Sequence, residues 1–449
     1  MTPTITTIMY ITRITLENFR NVGTRKSYWF KSRFTVIIGI NGRGKSTILQ
    51  ALRVACGTFF QGIPGISPRG IKSDEIRQVK AEGGLFLVEK RPVLVEAEGF
   101  FRAPDELVTW RRRILEKSNS NTSSRADVGA IAEIGERLYT EINQRENDKV
   151  SLPIIAFFGT SRVHGAGRNI SSEKESRLGR QIFKDGYRSW DEMKSFTFQY
   201  VKWLAGYESA LSINQEYAGT KEAFFGAIVK GNRYIRKIED RAGVLWFDVK
   251  YEGEDGVSDF LPIDLHSDGI RFFTGMVAEL AYRCIILNAF LGREAIAESR
   301  GVVLIDELDL HLHPIWQKDV VSDLKTAFPN LQFVITTHSP FIIQSINSEE
   351  LINLDTEIPT AIDPDNLPLN KVATEIQGVE SVRSEEFELK LKSAKEMMAE
   401  FEAEGKTLTT DDYVQISEVL GSALKDETND PFMQAFLEVK QKEENEADK

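Results

Sequence analysis

The chain has 449 residues, 41% of them hydrophobic and 27% charged, with a formal net charge of −11. This length allows two or three domains of ordinary folded composition, and the acidic balance argues against a surface built wholly to wrap nucleic acid. No apolar run approaches the ~20 residues that span a bilayer, and the N-terminus lacks the charged-then-apolar pattern of a secretory leader, so the expected compartment is the cytoplasm, without membrane contact.

In chain order, residues 11–16 alternate and predict a strand. A turn follows at Glu17-Asn18-Phe19-Arg20-Asn21, then a short strand at Tyr28 to Phe30. Phe34 to Ile38 is an apolar, β-branched run that reads as a buried strand. Gly39-Ile40-Asn41-Gly42-Arg43-Gly44-Lys45-Ser46-Thr47 comes next and fits G-x-x-x-x-G-K-[ST], the phosphate-binding P-loop. Residues 46–56 then carry apolar side chains at helical spacing, so the motif lies between strand and helix, as its chemistry requires. Glycines let backbone N–H groups turn toward an anion, and the helix N-terminus adds positive charge. Asn41, Gly42, Arg43, Gly44, Lys45, Ser46 and Thr47 are therefore the expected ATP-binding residues. Lys45 can reach the β- and γ-phosphates, and the Ser46 hydroxyl can ligate Mg²⁺. Cys56, at the end of this helix, and Cys284 both sit in apolar helical patterns and read as buried thiols.

Gly57 to Gly70 is a loop. Residues 85–89, 93–101 and 108–115 alternate and suggest antiparallel strands. Trp110-Arg111-Arg112-Arg113 is the most basic spot among them. It suits a phosphate-backbone contact or, more ordinarily, the solvated face of a half-buried strand. Residues 118–124 read as a polar loop and 128–143 as a helix. The apolar run 152–158 predicts a central strand ending in a site-facing loop, Gly159-Thr160-Ser161-Arg162. Residues 165–179 read as a polar, flexible stretch. Between Trp190 and Asp240 the pattern is helical: Phe196, Tyr200, Trp203 and Leu204 share one face, and Phe224, Ile228, Tyr234 and Ile235 another. Residues 244–251 return to strand.

His266-Ser267-Asp268-Gly269-Ile270-Arg271 opens an amphipathic helix over 272–287. Ser267 suits an N-cap, and Gly269 permits close backbone approach. A second anion-binding helix N-terminus, far from the P-loop in sequence, makes sense if it meets another molecule's ATP. Val302 to Ile305 is a strand ending in Asp306-Glu307. In P-loop ATPases such adjacent carboxylates hold Mg²⁺ (Asp306) and polarise the attacking water (Glu307). Phe333 to Pro340 is another buried strand ending in a polar loop, where His338 is placed to sense the γ-phosphate. Lys45, Glu307 and His338 are thus the catalytic candidates. His311 and His313 invite a metal reading, but no further ligand follows at zinc-like spacing; they read as structural or dimer-facing. The tail is a Pro/Asp-rich linker over 358–368, then a helical face of Phe387, Leu391, Ala394, Met398 and Phe401, then helical segments 411–424 and 431–439. From Arg383 to Lys449 it carries nine basic and eighteen acidic residues. It reads as an appendage packed on the core or a docking module for a partner.

The order GxNGxGKST, S-D-G before a helix, LIDELD and TTHSP resembles an ABC-type ATPase head, of the soluble SMC, RecF and OLD group rather than the transporters. The resemblance implies an α/β fold: a P-loop ABC-ATPase head with a mixed sheet core and an antiparallel N-terminal lobe, a helical insertion and a helical C-terminal appendage. The expected divisions are 1–160, 161–243, 244–357 and 358–449. Asn18-Phe19-Arg20 matches that group's opening strand-turn and adds Arg20 to the nucleotide-binding candidates. In such proteins two heads sandwich ATP, so the chain would be at least a head-to-head dimer, with Ser267 and Gly269 acting on the partner's nucleotide.

A narrower resemblance rests on residues 308–317, on Ala156 to Arg162 and on the helical tail. These are similar to the PtuA ATPases of Septu anti-phage systems and their retron-associated relatives, in which an HNH nuclease subunit acts beside the ATPase. Asp268 stands where transporters carry Gly, and Thr160 and Arg162 stand where a Q-loop glutamine is expected. There are no heptads for coiled-coil arms and no Toprim-type acidic cluster after Pro340. The resemblance implies an ATP- and Mg²⁺-dependent regulatory ATPase of a defence complex, with an HNH nuclease encoded nearby and DNA reached through the complex. The alternatives are a RecF-like repair ATPase that binds DNA directly, and a scaffold that binds ATP with little turnover; Glu307 and His338 count against the scaffold.

Overall fold

Five apolar strands form a parallel sheet in the order Leu351–Asn353, Phe34–Ile38, Leu331–Thr336, Gly301–Ile305, Ile154–Phe158. The four strands other than Leu351–Asn353 are buried along their whole length, so their sequences read as continuous apolar runs rather than alternations. The register pairs Ile305 with Phe158 on one side and Ile335 on the other, and Thr336 with Ile37. The loops leaving these strands therefore emerge at one edge: the P-loop, Asp306-Glu307, Thr337-His338 and Gly159 to Arg162.

This is a computed structural model that describes residues 9–399 apart from 82–83, 85, 102–105, 123, 145–148, 164–181, 193–198, 214, 242–243, 251–258, 357–361, 390–391, 394–395 and 397–398. The chain divides between Val372 and Ala373 into two compact units. The predicted polar stretch 165–179, and the helical segments 411–424 and 431–439, lie outside the described residues. So do Leu391, Ala394, Met398 and Phe401. Of the second unit, residues 385–389 form a helical turn in which the Glu388 amide donates to the Ser384 carbonyl at 3.0 Å.

An antiparallel sheet packs beside the parallel one, in the order Lys26–Trp29, Tyr10–Glu17, Val93–Phe100, Leu107–Ile114. One buried side chain joins the two sheets. Gln332 accepts from the Ile11 amide and donates to the Ile11 carbonyl, both at 2.8 Å. The P-loop helix, Lys45–Gly57, is buried over most of its length, and Cys56 lies within it. Burial pushes the Cys56 thiol well above its usual range.

Trp110 to Arg113 is resolved as structural. Trp110 is buried, its indole N–H donating to the Ala55 carbonyl at 3.0 Å. Arg111 and Arg113 both bind Asp127, at 2.8 Å, and Arg112 is buried and donates to Gln61. The helical reading of 190–240 holds for Gln199–Ile213 and Thr220–Gly231 but not beyond. Ile235–Arg241 is a strand, pairing with Val244–Val249 in an antiparallel hairpin that Asp259–Pro262 extends. Asn232 ends the preceding helix in an extended conformation, and Ile235 alone of the strand is buried. The helix expected over 272–287 starts earlier, at Asp268, and runs to Leu287. Among the described residues no helix is long and apolar enough to cross a membrane.

Candidate nucleotide site

The P-loop adopts the backbone its glycines permit. Gly42 and Gly44 lie at φ +86° and +109°. At Gly44 a Cβ would also come within 2.9 Å of the Asn21 side chain. Asn21, from the turn after the first strand, donates to the Gly42 carbonyl at 2.9 Å and accepts from the Thr47 hydroxyl at 2.7 Å. It clamps the loop at both ends. The neighbouring Arg20, predicted to bind nucleotide, is exposed at φ +50°, its amide on the Glu75 carbonyl at 2.7 Å.

Asp355 holds the loop's outer side. It accepts from the Ile40 amide at 2.7 Å and pairs with Arg43 at 3.1 Å. Lys45 is largely buried and donates to the Gly39 and Ile40 carbonyls at 2.6 and 3.4 Å. Burial lowers the Lys45 ammonium, opposed by Asp355, Asp306, Glu307 and Asp309. The positive charge therefore faces a ring of carboxylates, and its present partners are carbonyls that an incoming phosphate can replace.

Asp306 is buried at the end of its strand. Its Oδ1 accepts from the Thr336 hydroxyl at 2.6 Å and lies 3.4 Å from the Ser46 hydroxyl. The same Thr336 Oγ1 accepts from the Glu307 amide at 2.8 Å. Glu307 sits at φ +51°, a conformation that L side chains rarely adopt. The loop beyond is stitched across to the switch segment: Thr337 donates to Asp309 at 2.6 Å, and Ser339 donates to Gln317 at 2.5 Å. His338 is exposed at this edge.

Arg162 lies beneath Asp306 and Glu307. It is 4% exposed and donates to the Gly159, Asp306 and Glu307 carbonyls at 3.0, 2.5 and 2.6 Å. Burial pulls its guanidinium down to about 10, against Asp306, Glu307 and Asp309, so it stays charged at neutral pH.

Two oxygen donors, Ser46 and Asp306, face each other across a gap. A hard divalent cation such as Mg²⁺ takes one or two protein oxygens and completes its shell with phosphate and water. The residues present fit ATP with Mg²⁺. The histidines do not add a metal centre. His313 accepts from the Ile315 amide and caps the helix Pro314–Ala327, and His311, at φ +64°, stacks beside Phe272 at 5.7 Å. Among the described residues no group of three or more His, Cys, Asp or Glu is arranged to hold a metal ion.

The signature residues lie apart from this cluster. Ser267 precedes its helix in N-cap conformation, but its side chain makes no capping bond; only its carbonyl is engaged, by the Arg271 amide at 3.0 Å. Ser267 and Asp268 are exposed. Gly269 needs to be glycine for a reason internal to the chain: a Cβ there would stand 2.4 Å from the His311 carbonyl oxygen. Among the described residues no hydrogen bond or ion pair joins Ser267, Asp268 or Gly269 to the P-loop.

Thus Lys45, Ser46, Asp306 and Glu307 come together as the sequence predicts. Asn21, Thr336 and Asp355 were not legible as site residues. Asn21 sits in a turn whose motif match pointed to Arg20, and Asp355 lies some three hundred residues from the loop it holds.

Residues 34–344 match the protein family described as "AAA domain, putative AbiEii toxin, Type IV TA system". The chain belongs to this AAA-domain family. It is an ATPase, and its parallel sheet presents the P-loop and the Asp306-Glu307 strand end at one edge. It is 25% identical over 382 residues to "Retron Vc95 probable ATPase" of Vibrio cholerae serotype O1 biovar El Tor, covering 75% of this chain and 72% of that protein. It is 23% identical over 370 residues to "Septu protein PtuA" of Bacillus mycoides strain KBAB4, covering 81% of this chain and 43% of that protein. Among solved structures, an SMC head domain from Thermotoga maritima aligns with 77% of this chain and 94% of that one, at 16% identity and a TM-score of 0.40.

Proposed function

We propose that this AAA-domain ATPase is the regulatory subunit of a cytoplasmic anti-phage defence complex, pairing two heads around ATP and controlling an HNH-type nuclease encoded nearby. The observation that carries the reading is the placement of the motifs within one head. The P-loop, Asp306 and Glu307 converge, while Ser267 and Gly269 sit elsewhere on an exposed helix start. Leu265 beside the signature and Ile40 in the P-loop are 68% and 54% exposed, apolar surface that a second head would cover. The relatives named for retron and Septu systems support the defence setting.

In this reading the P-loop residues Asn41 to Thr47 cradle the phosphates, with Arg20 alongside. Ser46 and Asp306 would hold Mg²⁺, which when bound would supply positive charge against the phosphate oxygens. Glu307 accepts a proton from the water that attacks the γ-phosphorus. Lys45 offsets the charge that builds on the β–γ oxygens, and His338 senses the γ-phosphate. Ser267 and Gly269 close over the partner's nucleotide. DNA is reached through the complex: the arginines of the strand Leu107–Ile114 are spent on Asp127, Glu96 and Gln61.

The deciding experiment is a tagged pull-down from the native host with neighbouring genes intact. A stoichiometric HNH-type nuclease is the expected result. Recovery of this chain alone, holding duplex DNA only with ATP, would favour direct DNA binding instead. Alongside it, Glu307→Gln should cut hydrolysis by ~100-fold or more and accumulate an ATP-bound dimer, read by single-turnover assay and light scattering. Lys45→Ala should abolish ATP binding; unchanged affinity would remove Lys45 from the site.

A further inference from the structure

Glu307 has an unusual backbone, held by Arg162 on its carbonyl side and by Thr336 on its amide side. A residue at φ +51° persists only when its surroundings over-determine it. Two peptide planes flank the Glu307 Cα, one carrying the Asp306 carbonyl and the other the Glu307 carbonyl. Arg162 donates to both, through Nη1 at 2.5 Å and Nη2 at 2.6 Å. A single planar, rigid fork thereby braces the carbonyl ends of the two peptide planes whose N–H groups Thr336 holds, and this helps set the direction in which the carboxylate leaves the chain. The remaining backbone groups nearby are held independently. The Asp306 amide donates to Phe158, the Glu307 amide to Thr336, and the Leu308 amide to the Thr336 carbonyl. Removing Arg162 would take the side-chain donor from both carbonyls around Glu307, leaving the Leu310 amide at 3.1 Å on the Glu307 carbonyl and the Thr336 contacts on the two amides.

The loop that supplies Arg162 is itself anchored. Its strand, Ile154–Phe158, pairs in register with Gly301–Ile305, and Nη1 of Arg162 also reaches back to the Gly159 carbonyl at 3.0 Å. The guanidinium is thus mounted on the strand beside the one it organises. It is buried beneath the loop and spends these three bonds on backbone carbonyls.

We propose that Arg162 is a positioning residue for hydrolysis, acting through Glu307 by clamping the two peptide groups that aim its carboxylate at the attacking water. This rests on the reading of Glu307 as the base. Arg162 takes the chain position where related heads are expected to carry a ligand-contacting glutamine, but it acts on the protein's own backbone.

The test is a double-mutant cycle on the full chain, with single-turnover ATP hydrolysis and equilibrium ATP binding measured for Arg162→Ala, Arg162→Lys, Glu307→Gln and the two combinations. Because positioning by a well-held group is worth orders of magnitude in rate, Arg162→Ala should slow hydrolysis roughly 30- to 100-fold while ATP affinity stays within ~3-fold. One ammonium cannot span both carbonyls, so Arg162→Lys should sit between, at roughly 10-fold, and it serves if the alanine variant does not fold. In the Glu307→Gln background either change should cost less than ~3-fold more, since a clamp without its base has little left to aim. A wild-type rate in Arg162→Lys and Arg162→Ala beside an inactive Glu307→Gln would overturn the inference alone. So would equal losses in both backgrounds, or loss of ATP binding together with rate. A wild-type rate in Glu307→Gln would instead remove the base assignment itself, and this inference with it.

Discussion

The antiparallel lobe and the edge of the parallel sheet both bury charged groups, and they use them differently. In the lobe, charge is matched to charge. Asp127 has no exposed side-chain surface and takes Arg111 and Arg113 together, while Glu96 takes Arg25 and approaches Arg111 at 3.7 Å. At the sheet edge, side chains hold backbone. Arg162 grips three carbonyls, Thr336 an amide and a carboxylate, Asn21 and Asp355 the two sides of the P-loop. The lobe's pairs are spent on one another. The edge spends its bonds keeping the P-loop and the strained backbone at Glu307 in place and leaves Lys45 and Glu307 with chemistry to perform.

If that contrast is right, substitutions in the two regions should move different observables. The largest effect is expected at Asp127. Asp127→Ala removes a buried carboxylate that accepts charged hydrogen bonds from two partly exposed arginines and should lower stability by ~3 kcal/mol, read by urea unfolding, with ATP affinity unchanged. A matching loss of ATP binding would erase the distinction. Thr336→Val is the counterpart at the edge. It removes the one hydroxyl that orders both Asp306 and the Glu307 amide, so hydrolysis should fall roughly 30-fold, about 2 kcal/mol in the barrier. The unfolding midpoint should move little.

The same contrast explains what the sequence could reveal. Phe34 to Thr47, Val302 to Glu307 and Phe333 to His338 were legible because phosphate chemistry dictates residue types at fixed spacing on strand ends. The central strands were legible because burial on both faces leaves an unbroken apolar run. What holds those motifs was not legible. Asn21 and Asp355 reach the P-loop through three-dimensional folding, with no local pattern to announce them. Arg162 was visible only as the residue standing where a glutamine was expected. Ile235 to Arg241 misled because apolar residues at helical spacing continue past the Asn232 helix end, and strand pairing with Val244–Val249 overrides them.

Acid titration separates Asp127 of the lobe from a second buried carboxylate by sign. Burial works against ionisation of Asp127, but bonds from Arg111, Arg113 and Thr122 hold its carboxyl at about 2, below the usual 3.8. Its contribution is complete above about pH 4 and is lost as pH falls toward 2. Glu279, on the signature helix Asp268–Leu287, is opposite. Burial raises it to about 7 from the usual 4.5, with Arg283 at 3.2 Å opposing. Between those values the folded protein keeps a proton that the unfolded chain has released, so stability declines as pH rises from about 4.5 to about 7 and is level above, at no more than about 1.4 kcal/mol per pH unit. Glu279→Gln should flatten that decline, and Asp127→Asn should flatten only the limb below pH 4, both read from unfolding free energy against pH.

The smallest effect expected falls on the residue that crosses the divide. Asn21 belongs by sequence to the lobe, in the turn after Tyr10–Glu17, yet both its side-chain bonds end on the P-loop. Asn21→Ala removes one bond to the Gly42 carbonyl and one from the Thr47 hydroxyl. The Gly42 carbonyl lies in the exposed loop, where water can replace the lost partner, while Thr47 is buried. The net cost should therefore be about 1 kcal/mol, appearing as roughly five-fold weaker ATP binding from a loop that is less often in its phosphate-ready shape. The unfolding midpoint should stay within error, and addition of saturating ATP should restore the hydrolysis rate. If Asn21→Ala instead lowers stability and leaves ATP affinity alone, its place is with Asp127, and the boundary between the two regions runs through the loop rather than beside it.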